Sequence, residues 1–337
     1  MQFGNINNYM LFGGGDLLSK IAIFLKSQNH KFCVITSKRH YDEKLLLIEC
    51  SFGEFLNDNS INYIISKNVS TDNSVKKQIS KNTIGLSFGA AWIFKTNFIN
   101  LFKGGLLNLH GSRLPLDRGG GGFSWRIMRG DNIGVTLIHQ ILPRIDSGNI
   151  VDSATYVFPE NCKIPLDYYK ISIGKYFSFL KKFFNKVSKR HEFKYTRQPE
   201  YLSMYWPRLN TDNHGYINWS NDVEEIERFI SAFDDPYKGA ISYINNKKVR
   251  VKKVFSMKTD GVFHPFQSGL IYRIIDGVVM VAVNSGSLVI NEIINEEEKN
   301  IIPKLKVGDR LYTPQEKLEK ALQYRAIYTP YGLLKKQ

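Results

Sequence analysis

Three polar residues stand where apolar runs give way to turns. Asn108 and His110 close the run Leu-Leu-Asn-Leu-His, and Asp146 follows the run Ile-Leu-Pro-Arg-Ile just before Ser147-Gly148. Between them lies a loop with Pro115 and four consecutive glycines, Gly119–Gly122. An amide, an imidazole and a carboxylate in such places suit acyl transfer. Moving an acyl group to an amine builds negative charge on the acyl oxygen and requires a proton to leave the attacking nitrogen. The Asn108 amide can donate to that oxygen. His110 can donate when protonated and accept when neutral. Alternation along a strand places residues 108 and 110 on the same side. A carboxylate at 146 near the imidazole would hold its tautomer and favour its cation, or receive the amine proton through water. The glycines would let the loop fold over a substrate.

Other chemistries find less support. No Gly-x-Ser-x-Gly elbow is present, which disfavours a serine hydrolase. The seven histidines are dispersed without a ligand-like pair, so no metal is expected. His139, inside an apolar run, reads as packed rather than catalytic.

The elements that must position the trio alternate. The run over Tyr9–Phe12 ends in Gly13-Gly14-Gly15-Asp16, and apolar residues at helical spacing follow to Leu25. Strands are predicted over Lys31–Thr36, Ile61–Ile65 and Thr83–Phe88, with a short helix near Phe52–Leu56. That alternation argues for a parallel sheet with helices on both faces. The GGGD turn lacks the GxGxxG form and an acidic partner further on, so a tight packing turn is the preferred reading over a dinucleotide site. Ser87–Ala91 offers small residues where open α/β folds approach ligands. Residues Gly148–Val157 read as extended, and Tyr169–Val187 as a long amphipathic helix with a basic outer face.

Residues 195–218, with two prolines and little periodicity, read as a linker. Asp222 and its neighbours can cap a helix over Val223–Ala232. From Gly239 onward five short alternating strands suggest a small barrel or sandwich, and a last helix is expected over Pro314–Tyr324.

Composition sets bounds. The chain has 337 residues, 43% hydrophobic and 13% aromatic, enough for two domains and a sizeable core. Three scattered cysteines suit a reducing compartment, so a cytoplasmic location is expected. No apolar run has the length of a membrane span, and the first residues lack the form of a secretory signal. The net charge of +15 fits attraction to a polyanion, a lysine-rich coding style, or local sites for a small anion such as a nucleotide diphosphate.

The pattern Asn108-Leu-His110-Gly-Ser112-x-Leu114-Pro115-x-x-Arg118-Gly119, then Gly134-Val135-Thr136, then Asp146-Ser-Gly148, resembles the signature of the 10-formyltetrahydrofolate-dependent formyltransferases. The 36-residue step from His110 to Asp146 is similar to the family's spacing. Asn218-Trp219 and Ala232–Tyr237 resemble motifs of the C-terminal domain shared by methionyl-tRNA formyltransferase and the UDP-4-amino-4-deoxyarabinose enzyme.

The resemblance implies an α/β fold. A Rossmann-like parallel-sheet catalytic domain (1–194) would be followed by the linker (195–218) and a small OB-like β-barrel domain (219–337). It implies 10-formyltetrahydrofolate as co-substrate, with no metal and no membrane. Asn108 would polarise the formyl oxygen, His110 would stabilise the oxyanion and act as acid and base, and Asp146 would orient the histidine. The pterin would lie in a cleft lined by Phe88, Gly89, Ala90, Leu142, Pro143, Arg144 and Ile145. The His-Gly-Ser variant favours a dTDP- or UDP-linked amino sugar as acceptor, for lipopolysaccharide or O-antigen synthesis, by a homodimeric enzyme. Met-tRNA is the alternative acceptor; a nucleotide- or RNA-binding module with an inactive site is a second. One departure bears on the acceptor. The family's loop usually continues R-G-[AR]-[AR]-P, and here Arg118 is followed by GGGGF.

Overall fold

The computed structural model describes residues 3–120 and 122–334; Gly121, in the expected glycine loop, lies outside the described residues. The first seven strands to pair in one sheet are β1 (Asn8–Gly13), β2 (Phe32–Thr36), β3 (Tyr63–Ile65), β4 (Thr83–Phe88), β5 (Leu106–His110), β7 (Ile133–Gln140) and β8 (Ile150–Val157). The two-residue strand β6 (Arg118–Gly119) belongs to the intervening loop and pairs in parallel with β9 (Tyr205–Trp206).

The sheet order is β3-β2-β1-β4-β5-β7-β8. β1 and β4 are buried along their whole length, the signature of central strands covered on both faces. Strands β1 to β5 are parallel. The expected parallel sheet is therefore parallel only this far, because β7 runs antiparallel to β5 and β8 antiparallel to β7. The chain between β5 and β7 carries the short helix Gly122–Met128 but enters β7 at the end of the sheet where it left β5, so the two strands pair antiparallel. Asn108 and His110 consequently lie directly beside His139 and Leu137 in register.

The Gly13–Gly15 turn is filled by protein. A Cβ at Gly13 would lie 2.3 Å from the Phe88 carbonyl oxygen, and one at Gly14 would lie 2.8 Å from the His40 Cβ. Asp16 is buried and accepts from the Leu46 and Leu47 amides and the Tyr169 hydroxyl. The long helix spans Pro165–Ser188, and its Phe179, Leu180, Phe183, Phe184 and Val187 are buried against the sheet.

Five further strands, β10 (Ala240–Ile244), β11 (Lys247–Met257), β12 (Ile271–Ile275), β13 (Val278–Val283) and β14 (Gly286–Ile294), form an antiparallel sheet in the order β10-β11-β14-β13-β12. Its two edges are joined by the segment 309–312. Leu311 donates to the Gly269 carbonyl beside β12, and Tyr312 exchanges both backbone hydrogen bonds with Tyr243 of β10. That connection curls the sheet into a barrel-like form and leaves its edges paired. The Val223–Ala232 helix is capped by the Asp222 carboxylate, which accepts from Glu224 and Glu225 amides. One apolar cluster runs from Ile127, Phe158 and Tyr168 into this second unit through Ile217, Trp219 and Ile226.

Residues 195–218 connect the units but are not a free linker. Besides β9 they contain the short helix Thr211–His214, and buried Gln198 ties them to the Asp146 turn. Backbone and indole hydrogen bonds hold an aperiodic segment as well as apolar periodicity would.

Candidate active site

The carboxyl ends of β4 and β5 open onto a cleft of about 510 Å³, the place where open α/β sheets bind ligands. Asn108, His110, His139 and Asp146 share its floor. Asp146 reaches it from a turn in which its own φ is +49°. The turn is closed by Gly148, where a Cβ would lie 1.9 Å from the Gln140 carbonyl oxygen. Only glycine permits that approach.

The polar contacts assign the protons. His110 Nε2 lies 3.1 Å from the Asp117 carbonyl oxygen, which can only accept, so Nε2 carries hydrogen. The neutral His110 ring therefore presents a bare Nδ1, which faces Asp146 Oδ1 at 3.9 Å. His139 repeats the arrangement. Its Nδ1 donates to the Gln140 carbonyl at 2.8 Å, and its Nε2 faces the same Asp146 oxygen at 3.5 Å. The Asn108 amide donates to that Nε2 at 3.1 Å, which orients the amide and leaves its second N–H for another acceptor. With the His139 lone pair occupied by the Asn108 amide, the free His110 Nδ1 and the Asp146 carboxylate converge, an arrangement able to take up a proton.

Electrostatics agree with that reading. Burial, partly opposed by the Asp146 charge, holds the His110 pKa below the ordinary histidine value. Burial alone would raise Asp146, but the neighbouring His139 and His110 rings and a 3.1 Å hydrogen bond from the Gly119 amide outweigh it and hold the carboxyl down to about 2. The pair is a neutral base beside a fixed anion that would stabilise the imidazolium.

The surrounding shell is rigid. Asp117 is buried, pairs with Arg113 and Arg129, and thereby fixes the carbonyl that His110 uses. Arg118 is also buried. Its guanidinium donates to Gln198 Oε1 and Glu200, and Gln198 Nε2 donates to the Asp146 and Gly148 carbonyls. The loop arginine therefore braces the Asp146 turn through Gln198.

The expected cofactor wall separates. Gly89, Ala90, Leu142, Pro143 and Ile145 line the cleft, and Leu142, Ile145 and the neighbouring Ile93 are exposed apolar side chains at its rim. Phe88 does not line it. Strand alternation sends Ile84, Leu86 and Phe88 into the core and presents Ser87 to the cleft. Arg144 also points away and pairs with Glu200 outside the cleft. The sequence reads His139 as packed rather than catalytic and does not single out Asp117 or Gln198. The polar character of His139 within an apolar strand was the available signal; the other two had none.

Comparison with known proteins follows the same lines. The formyl transferase family model matches residues 8–164, and the formyl transferase C-terminal domain model matches 210–305. The chain belongs to the formyl transferase family. It is 27% identical over 173 residues to the bifunctional polymyxin resistance protein ArnA of Wigglesworthia glossinidia brevipalpis, covering 51% of this chain but only 26% of that protein. Two solved structures share the fold. One is WlaRD, a sugar 3N-formyl transferase crystallised in the presence of dTDP and 5-N-formyl-THF: TM-score 0.65, 20% identity, 87% of this chain and 99% of that one. The other is an N-formyltransferase from Helicobacter canadensis in complex with folinic acid and dTDP-3-aminofucose: TM-score 0.63, 20% identity, 85% of this chain and 98% of that one. Among the described residues no helix is long and apolar enough to cross a membrane.

Proposed function

We propose that this formyl transferase moves the formyl group of 10-formyltetrahydrofolate to the amine of a dTDP- or UDP-linked amino-deoxy sugar. The observation that carries the reading is the convergence of His110 Nδ1 and His139 Nε2 on one oxygen of Asp146, beside an Asn108 amide with a spare N–H. The attacking amine bonds to the formyl carbon while the carbon–N10 bond breaks. The Asn108 N–H steadies the charge that grows on the formyl oxygen. His110 takes the proton that the amine must lose, and Asp146 stabilises the resulting imidazolium. The proton then goes to the departing N10, giving an N-formyl sugar and tetrahydrofolate. The apolar rim of Ile93, Leu142 and Ile145 suits the flat face of a pterin, with Gly89 and Ala90 giving close backbone approach. The dTDP and the dTDP-3-aminofucose of the two crystallised relatives with this fold favour a nucleotide-linked sugar.

The proposal includes a catalytic unit over 1–194, a connection over 195–218 and a barrel unit over 219–337. It also includes a homodimer in the cytoplasm, supplying sugars for lipopolysaccharide or O-antigen. Three cysteines without disulfides suit that compartment. Release of tetrahydrofolate from 10-formyltetrahydrofolate, measured separately with amino-sugar nucleotides and with Met-tRNA, tests the reading. Formylation of the tRNA with none of any sugar sinks it.

A further inference from the structure

The cleft that holds Asn108 and His110 is also lined by three arginines from distant parts of the chain. Arg39 lies in the short helix after β2, Arg208 follows β9, and Arg325 lies in the C-terminal tail after the Gln315–Gln323 helix. None of the three makes an ion pair among the described residues. The Arg39 Nε is buried without a hydrogen-bond partner, and so is Nδ1 of the adjacent buried His40. Arg39 Nη2 lies 2.9 Å from His40 Nε2. Burial, with the positive charges of Arg39 and Arg208, pushes the His40 pKa down to about 4. Like charges with unused donors facing one cleft describe a place awaiting an anion.

Two features show that this arrangement is built. Arg208 occupies the space over Gly120, where a Cβ would lie 2.6 Å from the Arg208 Cγ and 3.2 Å from its Nε. The glycine at 120 is what lets the guanidinium stem cross the loop. The tail is likewise held at the cleft. The Arg208 guanidinium lies 5.2 Å over the Tyr328 ring, and the Tyr324 carbonyl accepts from His214 Nε2 at 3.1 Å. Ile327 and Tyr328 line the cleft beside Arg325.

We infer that Arg39, Arg208 and Arg325 bind the diphosphate of the acceptor, with Gly120 and the Tyr328 ring holding Arg208 in place for it. This rests on the proposed function and deepens it. The tail thereby completes the acceptor end of the cleft, and the amine extends from the diphosphate toward His110. Planar guanidinium forks match phosphate oxygens in pairs, which a lysine cluster would not do as well.

Calorimetric titration of the full chain with dTDP, UDP, dTMP, UMP and an uncharged tRNA tests the assignment without any formyl transfer. Arg208→Ala and Arg325→Ala are each expected to weaken nucleoside diphosphate binding on the order of 10-fold or more, with the monophosphates bound more weakly throughout. Gly120→Ala keeps all three guanidiniums but displaces Arg208, so it should weaken diphosphate binding in the same direction. Tetrahydrofolate binding and the thermal midpoint report that each variant is folded. Equal diphosphate affinity in wild type and folded Arg208→Ala overturns the inference. So does an Arg208-dependent affinity for tRNA with no affinity for nucleoside diphosphates. Arginine-dependent diphosphate binding by a chain that formylates no sugar would leave this site standing and remove the proposed reaction. Sugar formylation with an unchanged KM in Arg208→Ala would do the reverse.

Discussion

His139 Nε2 lies 3.5 Å from Asp146 Oδ1, nearer than the 3.9 Å of His110 Nδ1. The histidine that reads as packed in the sequence is thus the closer partner of the carboxylate. It is both buried and part of the polar cluster, since its Nδ1–H donates to the Gln140 carbonyl and its Nε2 accepts from the Asn108 amide beside Asp146.

His139 should therefore act as a positioning residue. His139→Ala is expected to lower turnover on the order of 10-fold while leaving KM for the folate nearly unchanged, as loss of an orienting outer partner does. Steady-state kinetics alongside a thermal melt check this. A folded variant with wild-type turnover would remove His139 from the site.

Asn108→Ala and His110→Ala are each expected to lose on the order of 100-fold or more in turnover, the cost of removing an oxyanion donor or a general base. Turnover close to wild type in either variant would refute its assigned role.

The pH profile should carry an acid limb below the ordinary histidine value of about 6.5. Burial holds His110 neutral to lower pH, and the base form is the active one, so kcat/KM falls only as pH drops through that lowered value. Asp146 stays ionised down to about 2 and contributes no limb near neutrality. An acid limb centred well above 6.5 would contradict the buried neutral base.

Stability should decline in acid for a related reason. His40 titrates near 4 in the folded chain because of burial and the neighbouring guanidiniums, against about 6.5 when unfolded. Between those values the unfolded chain binds the extra proton, so unfolding is favoured as pH falls through the window and stability rises with pH. Urea unfolding from pH 7 to pH 4 should show this loss, and His40→Asn should shrink it. An unchanged slope in that variant would exclude His40 as a source.

The Asp146 turn should depend on its supports. Gln198→Leu removes two hydrogen bonds to the Asp146 and Gly148 carbonyls and leaves buried Arg118 short of an acceptor. A loss of roughly 1–3 kcal/mol in denaturant unfolding is expected, together with lower turnover. Full stability in the variant would show that the brace does not bear on the turn.

The sequence by itself determined the strand–helix alternation, the run of short strands in the second unit and the placing of polar residues 108, 110 and 146 at the ends of apolar runs, because periodicity and motif spacing are local properties of the chain. It did not reveal that β7 and β8 are antiparallel, since pairing direction depends on how a loop returns rather than on strand composition. It placed Phe88 at the cleft, where the pleat puts Ser87 instead. The partners of the trio come from afar: Gln198 lies 52 residues from Asp146, and Tyr328 meets Arg208 across the cleft. Single hydrogen bonds and ring contacts between distant segments leave no periodic trace. Only the folded chain brings Arg39, Arg208 and Arg325 to one cleft, and only its packing sets the Arg208 side chain against Gly120.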